Sequence, residues 1–262
     1  MQDLYEEVVR IRAEGKRGVL ATVVRTEGST PREVGAKMLV HEDGSISGTI
    51  GGGRLEAAVI KEALETLDAG TPRAVHHDLA GPEASEAGMI CGGALEIYLE
   101  PILLGPKVFL FGGGHVTLPL ARLSKMAGFR VAVIDDRPEF ASRERFPEAE
   151  EVIAEKFSSA LKKLKTQRES YLVILTRGHG YDQEVLEWAL GTEACYIGMI
   201  GSRKKVETIF SNLKKKGVSA EKLNSVHAPI GLDIGGKTPE EIAVSIVAEM
   251  IQERRKGKGR GV

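Results

Sequence analysis

The sequence has 262 residues, which is enough for two domains that each bury a hydrophobic core. Its 42% apolar and 28% charged residues are ordinary for a soluble protein, and a formal net charge of −1 gives no field that attracts nucleic acid or acidic membranes. We find no signal peptide and no apolar run long enough to span a membrane. The only cysteines, Cys91 and Cys195, argue against a disulfide framework. We therefore expect a cytoplasmic protein without nucleic-acid or membrane partners.

Residues 1–104 predict a small α+β domain. Hydrophobic spacing indicates helices near both its start and its middle, and short β-rich runs separated by glycine and turn residues indicate hairpins. A linker is predicted at 101–106. The predicted helices cover 2–14 and 55–67, and the predicted strands cover 18–26, 36–41, 46–50, 74–79 and 95–99.

Residues 105–262 alternate strand and helix, which predicts a Rossmann-like doubly wound parallel sheet with strand order 3-2-1-4-5. The first helix is expected to stop at Gly128 in a left-handed C-cap. The last helix is expected to begin at Thr238, followed by a proline and two acids. The predicted strands are 108–111, 131–134, 151–154, 171–175 and 195–199, and the predicted helices include 116–126, 205–215 and 240–255.

The turn after the first of these strands resembles a dinucleotide-binding fingerprint. Gly112 and Gly114 supply the first two glycines of G-x-G-x-x-G, but Thr117 stands at the third position. Asp135 ends the second strand 23 residues past Gly112, near the spacing of about 20 expected for an acid that binds ribose. His115 would lie in the path of a pyrophosphate. The alternative is that these glycines only turn the chain.

A second glycine cluster, Gly51-Gly52-Gly53, precedes the helix of the first domain and is followed by Arg54. Backbone N–H groups of such a turn attract anions, and an arginine can form two parallel hydrogen bonds with a phosphate or a carboxylate. A tight turn beside a solvated arginine is the simpler interpretation.

Two loops at the carboxyl ends of later strands carry cations. Arg177 and His179 follow the fourth strand, and Ser202 and Arg203 follow the fifth. Ligands of open α/β sheets bind at this edge, so we expect the loops and the Gly112 turn to form one crevice for an anionic ligand. Each loop alone is equally compatible with a solvated turn.

Cys91 lies beside two glycines in a polar loop, which makes it a candidate nucleophile or sulfur ligand. Its alternative, and our expectation for Cys195, is a small buried hydrophobic residue. Without a Cys-x-x-Cys motif, a zinc site is not expected.

Taken together, these stretches resemble the XdhC/CoxI family, the accessory factors of xanthine dehydrogenase and related molybdenum hydroxylases. The matching motifs occur in the family's order over nearly the whole chain. They are Gly28-Ser29-Thr30-Pro31-Arg32, Gly48 to Glu56, Cys91-Gly92-Gly93, Gly112 to His115, Asp135-Asp136-Arg137, Thr176 to Asp182, Tyr196 to Lys204 and Pro229 to Glu241.

The resemblance implies a homodimeric chaperone that binds molybdenum cofactor, a molybdopterin, and assists its sulfuration and insertion into a xanthine dehydrogenase-type hydroxylase. A cysteine desulfurase is a further implied partner. The crevice with Arg177, Ser202 and Arg203 would hold the cofactor phosphate, and Cys91 would hold molybdenum or sulfur. Many CoxI-like members have cysteine where this chain has Arg54, so Arg54 is typical of the xanthine dehydrogenase branch and leaves one thiol for the chemistry.

Two other functions remain open from the sequence. A nicotinamide-dependent, NAD(P)-binding oxidoreductase would use Asp135 on the ribose and His115 or His179 as acid and base. The second is a purely structural regulator of the hydroxylase.

Overall fold

A computed structural model of the chain describes residues 3–79 and 92–256. The chain divides into two compact units, Met1–Leu104 and Gly105–Val262. Each unit contains one five-stranded sheet with its own buried apolar residues. No helix in the described part of the chain is long and apolar enough to cross a membrane.

The first unit is an antiparallel sheet with strand order β3-β2-β1-β5-β4. Along β1 the side chains alternate between two cores: Val19 and Val23 pack with α2, whereas Leu20 packs with α1. The predicted α+β domain is confirmed. Its elements are α1 (Leu4–Ala13), β1 (Gly18–Glu27), β2 (Lys37–His41), β3 (Ile46–Gly48), α2 (Gly53–Ala69), β4 (Arg73–Asp78) and β5 (Ala94–Ile102).

The start of the predicted linker was wrong. Strand β5 continues through Pro101 to Ile102, which pairs with Gly18 of β1. Proline is tolerated there because β4 pairs with β5 only as far as Leu99, so one side of the strand has no neighbour beyond that point in the described sheet.

The second unit is a parallel sheet with strand order β10-β9-β6-β7-β8, which confirms the predicted order 3-2-1-4-5. Its strands are β6 (Lys107–Phe111), β7 (Arg130–Asp135), β8 (Glu151–Ala154), β9 (Tyr171–Ile174) and β10 (Tyr196–Met199). Its helices are α3 (Thr117–Met126), α4 (Phe157–Lys163), α5 (His179–Ala189), α6 (Arg203–Lys215), α7 (Ala220–Asn224) and α8 (Pro239–Lys256).

Both faces of this sheet are covered. Val108 and Leu110 of β6 pack with α3 and α8, whereas Phe109 and Phe111 pack with α4, α5 and α6. A strand buried on both faces has apolar residues at every position rather than at alternate positions. This explains the continuous apolar run at 108–111.

The two predicted helix ends are confirmed. Gly128, two residues after the end of α3, has φ +82°, and the N–H of Phe129 donates to the carbonyl of Ser124 at 2.9 Å, which is a Schellman motif. At the start of α8, the Thr238 hydroxyl accepts from the N–H of Glu241 at 3.2 Å. The Glu241 carboxylate accepts from the N–H of Thr238 at 3.0 Å, so the two residues form a capping box.

The sheet is extended at its β10 edge by a short segment that sequence patterns did not predict. His227 forms a parallel bridge with Gly198. The His227 N–H donates to the carbonyl of Ile197, and the His227 carbonyl accepts from the N–H of Met199, both at 2.9 Å. The segment occupies the sixth strand position of a doubly wound dinucleotide fold.

Candidate functional site

The three glycines after β6 have different surroundings. Gly112 has φ +109°, and a Cβ atom there would overlap the carbonyl of Leu175 after β9. At Gly113 a Cβ atom would overlap the carbonyl of Phe140, but at Gly114 it would meet no described atom within 4 Å. The first two glycines are therefore required by packing, whereas a side chain at the third position would meet open space among the described atoms.

Asp135, the predicted ribose ligand, is only 2% exposed and its carboxylate is already hydrogen bonded. Oδ2 accepts from the N–H of Gly113 at 2.8 Å and from Nη2 of Arg137 at 3.0 Å. Oδ1 accepts from the N–H and from Nε of Arg137, at 3.0 and 2.9 Å. Burial alone would raise the pKa of Asp135, but these hydrogen bonds lower it overall, so the ionised carboxylate closes the glycine turn.

Thr117, at the third fingerprint position, is fully buried. Its hydroxyl donates to the carbonyl of Gly112 at 2.5 Å. A residue larger than glycine at this position would be expected to loosen the packing of strand and helix. Instead, the hydroxyl ties the first turn of α3 to the glycine turn.

Arg177 and Asp136 connect the loops on both sides of β6. Nη2 of Arg177 lies 2.8 Å from Oδ2 of Asp136, which also accepts from the Tyr181 hydroxyl at 3.3 Å. The Arg177 side chain is 44% exposed, and His179 is exposed at the start of α5. Both predicted residues therefore lie at the carboxyl edge of the sheet, where solvent can reach them.

Ser202 caps helix α6, because its hydroxyl accepts from the N–H of Lys205 at 3.3 Å. Lys205 forms an ion pair with fully buried Asp182, and the other Asp182 oxygen accepts from the Thr176 hydroxyl at 2.7 Å. These contacts join the loops after β9 and β10. Ser202 and Arg203 are exposed at the same edge.

In the first unit, the glycine cluster before α2 already holds a carboxylate. Gly51, Gly52 and Gly53 all have positive φ. Glu56 Oε1 accepts from the N–H of Gly52 at 2.9 Å and from that of Ile50 at 3.1 Å, and also from the Thr49 hydroxyl. Burial would raise the pKa of Glu56, but these hydrogen bonds lower it. The predicted anion cradle is thus filled by the chain itself, and Arg54 is exposed beside it.

Of the two cysteines, Cys195 lies among the described residues. Cys91 lies outside the described residues. Cys195 is exposed, not buried as we expected, because it precedes β10 rather than beginning it. Among residues 3–79 and 92–256, no group of three histidine, cysteine, aspartate or glutamate side chains is arranged to hold a metal ion.

A buried carboxylate beside β10 was missed by the sequence analysis. Glu249 Oε2 accepts from the Tyr196 hydroxyl at 2.5 Å and from the N–H of Gly231 at 3.0 Å, and Oε1 lies 3.3 Å from Nδ1 of His227. Burial raises the pKa of Tyr196, so the phenol stays a donor. No short motif signals this cluster, because its members come from three separate stretches of the chain.

The second unit thus gathers Gly112, Gly114, His115, Arg177 and Arg203 at the carboxyl edge of its sheet. Exposed cations and the N-termini of α3, α5 and α6 favour an anionic ligand at this edge.

Comparison with known proteins agrees with this architecture. The model described as the XdhC Rossmann domain matches residues 108–250, more than half of the chain. The model described as the XdhC and CoxI family matches residues 11–78. The chain belongs to the XdhC and CoxI family. The resemblance inferred from short motifs is confirmed.

Curated relatives match this XdhC-family chain over nearly its whole length. YqeB of Escherichia coli (strain K12), named as an uncharacterized protein, is 35% identical over 98% of the chain, but the chain spans only 47% of YqeB. A protein of Bacillus subtilis (strain 168), named as a probable xanthine dehydrogenase subunit, is 24% identical, with 92% of this chain and 94% of that protein covered. The molybdenum cofactor insertion chaperone PaoD of Escherichia coli (strain K12) is 26% identical, with 97% and 90% covered.

A solved structure supports the fold of this XdhC-family chain. The crystal structure of a xanthine dehydrogenase from Bacillus halodurans superposes with a TM-score of 0.54 and 25% identity. The match covers 100% of this chain and 98% of the other.

Proposed function

We propose that this chain binds molybdenum cofactor and assists its insertion into a xanthine dehydrogenase-type hydroxylase. The observation that carries the proposal is the similarity to PaoD, named a molybdenum cofactor insertion chaperone, over 97% of this chain and 90% of that relative. The Bacillus subtilis relative, whose name is that of a probable xanthine dehydrogenase component, supports the same class of partner.

The geometry of the second unit supports an anionic ligand. Molybdopterin ends in a phosphate, which requires cations and free backbone N–H groups. We propose Gly114 and His115 at the start of α3 as backbone donors, with Arg177, Ser202 and Arg203 as the side-chain partners. Arg177 is already paired with Asp136, so a phosphate would compete with that carboxylate.

The proposal has finer parts that follow from the family resemblance. Cys91 is the soft ligand for molybdenum or sulfur during sulfuration, and a cysteine desulfurase supplies the sulfur. The chaperone acts as a homodimer in the cytoplasm. A Cys91→Ala variant that delivers sulfurated, active cofactor as well as the wild type does would remove the thiol role.

An anaerobic titration of the purified chain with molybdenum cofactor tests the central claim. We expect stoichiometric binding that is weakened at least about tenfold by Arg177→Ala, a loss of roughly 1.4 kcal/mol. Arg122→Ala is the matched control, because that arginine is 67% exposed on α3 and its nearest acid is 3.8 Å away.

The same titration with NAD(H) and NADP(H) separates the oxidoreductase alternative. If a nicotinamide nucleotide binds and molybdenum cofactor does not, the chaperone proposal is wrong. The search would then turn to a substrate that is oxidised or reduced.

A further inference from the structure

The nucleoside half of a doubly wound crevice has defined requirements. The turn after the first strand must let a pyrophosphate approach its backbone, and the acid at the end of the second strand must accept hydrogen bonds from the ribose hydroxyls. In this chain those positions are the Gly112–Gly114 turn and Asp135.

Asp135 has no remaining capacity for a ribose. Its two oxygens accept four hydrogen bonds, one from Gly113 and three from Arg137. A carboxylate offers about four acceptor positions. The Arg137 guanidinium, which donates two of the four, therefore occupies the place of a ribose diol.

Arg137 is held in this position by Phe140. The guanidinium carbon lies 3.5 Å from the centroid of the Phe140 ring, a stacked cation–π contact. The N–H groups of Phe140 and Ala141 both donate to the Arg137 carbonyl, at 2.9 and 3.0 Å, so residues 137–141 form a tight turn.

The same turn packs directly on the glycines. The carbonyl of Phe140 lies where a Cβ atom of Gly113 would be. The N–H of Gly113 donates to Asp135, and its carbonyl accepts from Nη2 of Arg145 at 3.1 Å. Both backbone groups of Gly113 are thus used internally. At Gly114 the carbonyl accepts from the N–H of Thr117 at 3.2 Å, and a Cβ atom would meet no described atom within 4 Å.

We infer that the Arg137–Phe140 turn is a specificity element that closes the nucleoside half of this crevice. The second unit accepts a ligand that ends in one phosphate at the start of α3 and rejects a ligand that carries a nucleoside. Under the proposed function, on which the identity of the pterin rests, the chain selects molybdopterin in its monophosphate form over a pterin dinucleotide.

The test measures three ligands on the full chain under anaerobic conditions: the monophosphate cofactor, its dinucleotide form, and ADP-ribose. For the wild type we expect the dinucleotide form to bind at least about tenfold more weakly than the monophosphate form. We expect no saturable binding of ADP-ribose.

Opening the turn should admit the nucleoside. Arg137→Ala removes the two guanidinium hydrogen bonds to Asp135, and Phe140→Ala removes the stacking partner of Arg137 while leaving the Asp135 hydrogen bonds possible. Arg137→Ala should raise the affinity for ADP-ribose and for the dinucleotide form at least about tenfold, whereas Phe140→Ala should raise both less, because Arg137 can still bind Asp135. Arg122→Ala is the control and should change neither affinity. Thermal melting verifies that each variant is folded.

The outcomes separate this inference from the proposed function. Equal binding of both cofactor forms by the wild type, with ADP-ribose as a competitor, overturns the inference and leaves the chaperone intact. If neither cofactor form binds but Arg137→Ala gains ADP-ribose binding, the proposed chaperone function is wrong. The inference that the Arg137–Phe140 turn closes the nucleoside half of the crevice is then supported. Folded Arg137→Ala and Phe140→Ala proteins that gain no affinity for a nucleoside overturn the inference.

Discussion

Adjacent glycines in one turn have unequal constraints in this chain. Neither Gly113 nor Gly114 has a positive φ, so other amino acids can adopt the backbone conformation of both positions. They differ in what surrounds the α-carbon, since a Cβ atom meets the Phe140 carbonyl at Gly113 and nothing described within 4 Å at Gly114. The dinucleotide fingerprint includes Gly114 as one of its glycines, but packing in the structure requires the glycine at position 113.

We expect Gly113→Ala to lower the free energy of unfolding by about 1–3 kcal/mol, because the overlap forces the 137–141 turn away from the glycines. Gly114→Ala is the matched control and should stay within about 0.5 kcal/mol of the wild type. Urea unfolding followed by Trp188 fluorescence measures both, since this single tryptophan lies in α5 of the second unit. Equal losses from the two variants would contradict the packing difference.

Glu56 has a comparable role in the first unit, where it satisfies backbone donors of the glycine turn. Glu56→Ala leaves the N–H groups of Ile50 and Gly52 without this acceptor. We expect a loss of about 1–3 kcal/mol and faster amide exchange at those two positions. Glu65→Ala is the control, because Glu65 is 53% exposed and only pairs with Arg73 on the surface. Unchanged exchange in Glu56→Ala would show that the carboxylate does not close the turn.

At the scale of elements, one buried carboxylate joins a helix to the edge of the parallel sheet. Glu249 of α8 accepts from Tyr196 of β10 and from Gly231 in the segment between them. Burial would raise the pKa of Glu249, but the hydrogen bonds from His227 and Tyr196 lower it overall. A lowered pKa in the folded state means that the ionised form stabilises the fold at neutral pH.

This stabilisation should be lost as the pH falls below the usual glutamate range. The folded chain binds the proton less readily than the unfolded chain, so we expect the free energy of unfolding to decrease below about pH 5. Glu249→Gln should make that decrease shallower but not abolish it, because Asp135 and Glu150 of the same unit also have lowered pKa values. Urea unfolding by Trp188 fluorescence at several pH values tests this. An unchanged slope in Glu249→Gln would contradict it.

At the scale of the whole molecule, each compact unit has what a folding domain needs. The second unit, Gly105–Val262, covers both faces of its sheet with its own helices. A domain that has its own hydrophobic core usually folds independently.

We therefore expect the 105–262 fragment to unfold in one cooperative transition, with a near-native Trp188 environment. The measurement is a thermal and urea melt of the fragment beside the full chain. A non-cooperative transition, or a tryptophan spectrum like that of the unfolded chain, would show that the boundary does not separate two domains.

Local signals account for the parts of the fold that were predicted. Continuous apolar runs, alternating with helical spacing and glycine stops, indicate a parallel doubly wound sheet, and its strand order follows from the few topologies such units adopt. The linker was misplaced because Pro101 reads as a strand breaker. Only the register with β1 and the length of β4 show that a proline fits there.

The family, the two sheet types, the helix caps and the loops at the carboxyl edge were all predictable from the sequence, because they depend on periodicity and on residues that are neighbours in the chain. Tertiary structure decided what the polar groups of those loops contact. Asp135 binds Gly113 and Arg137 rather than standing free, and Glu249 finds Tyr196 far away in the chain. The physical reason is that a carboxylate accepts from whichever donors the packed chain brings within about 3 Å, and spacing along the sequence does not encode that distance.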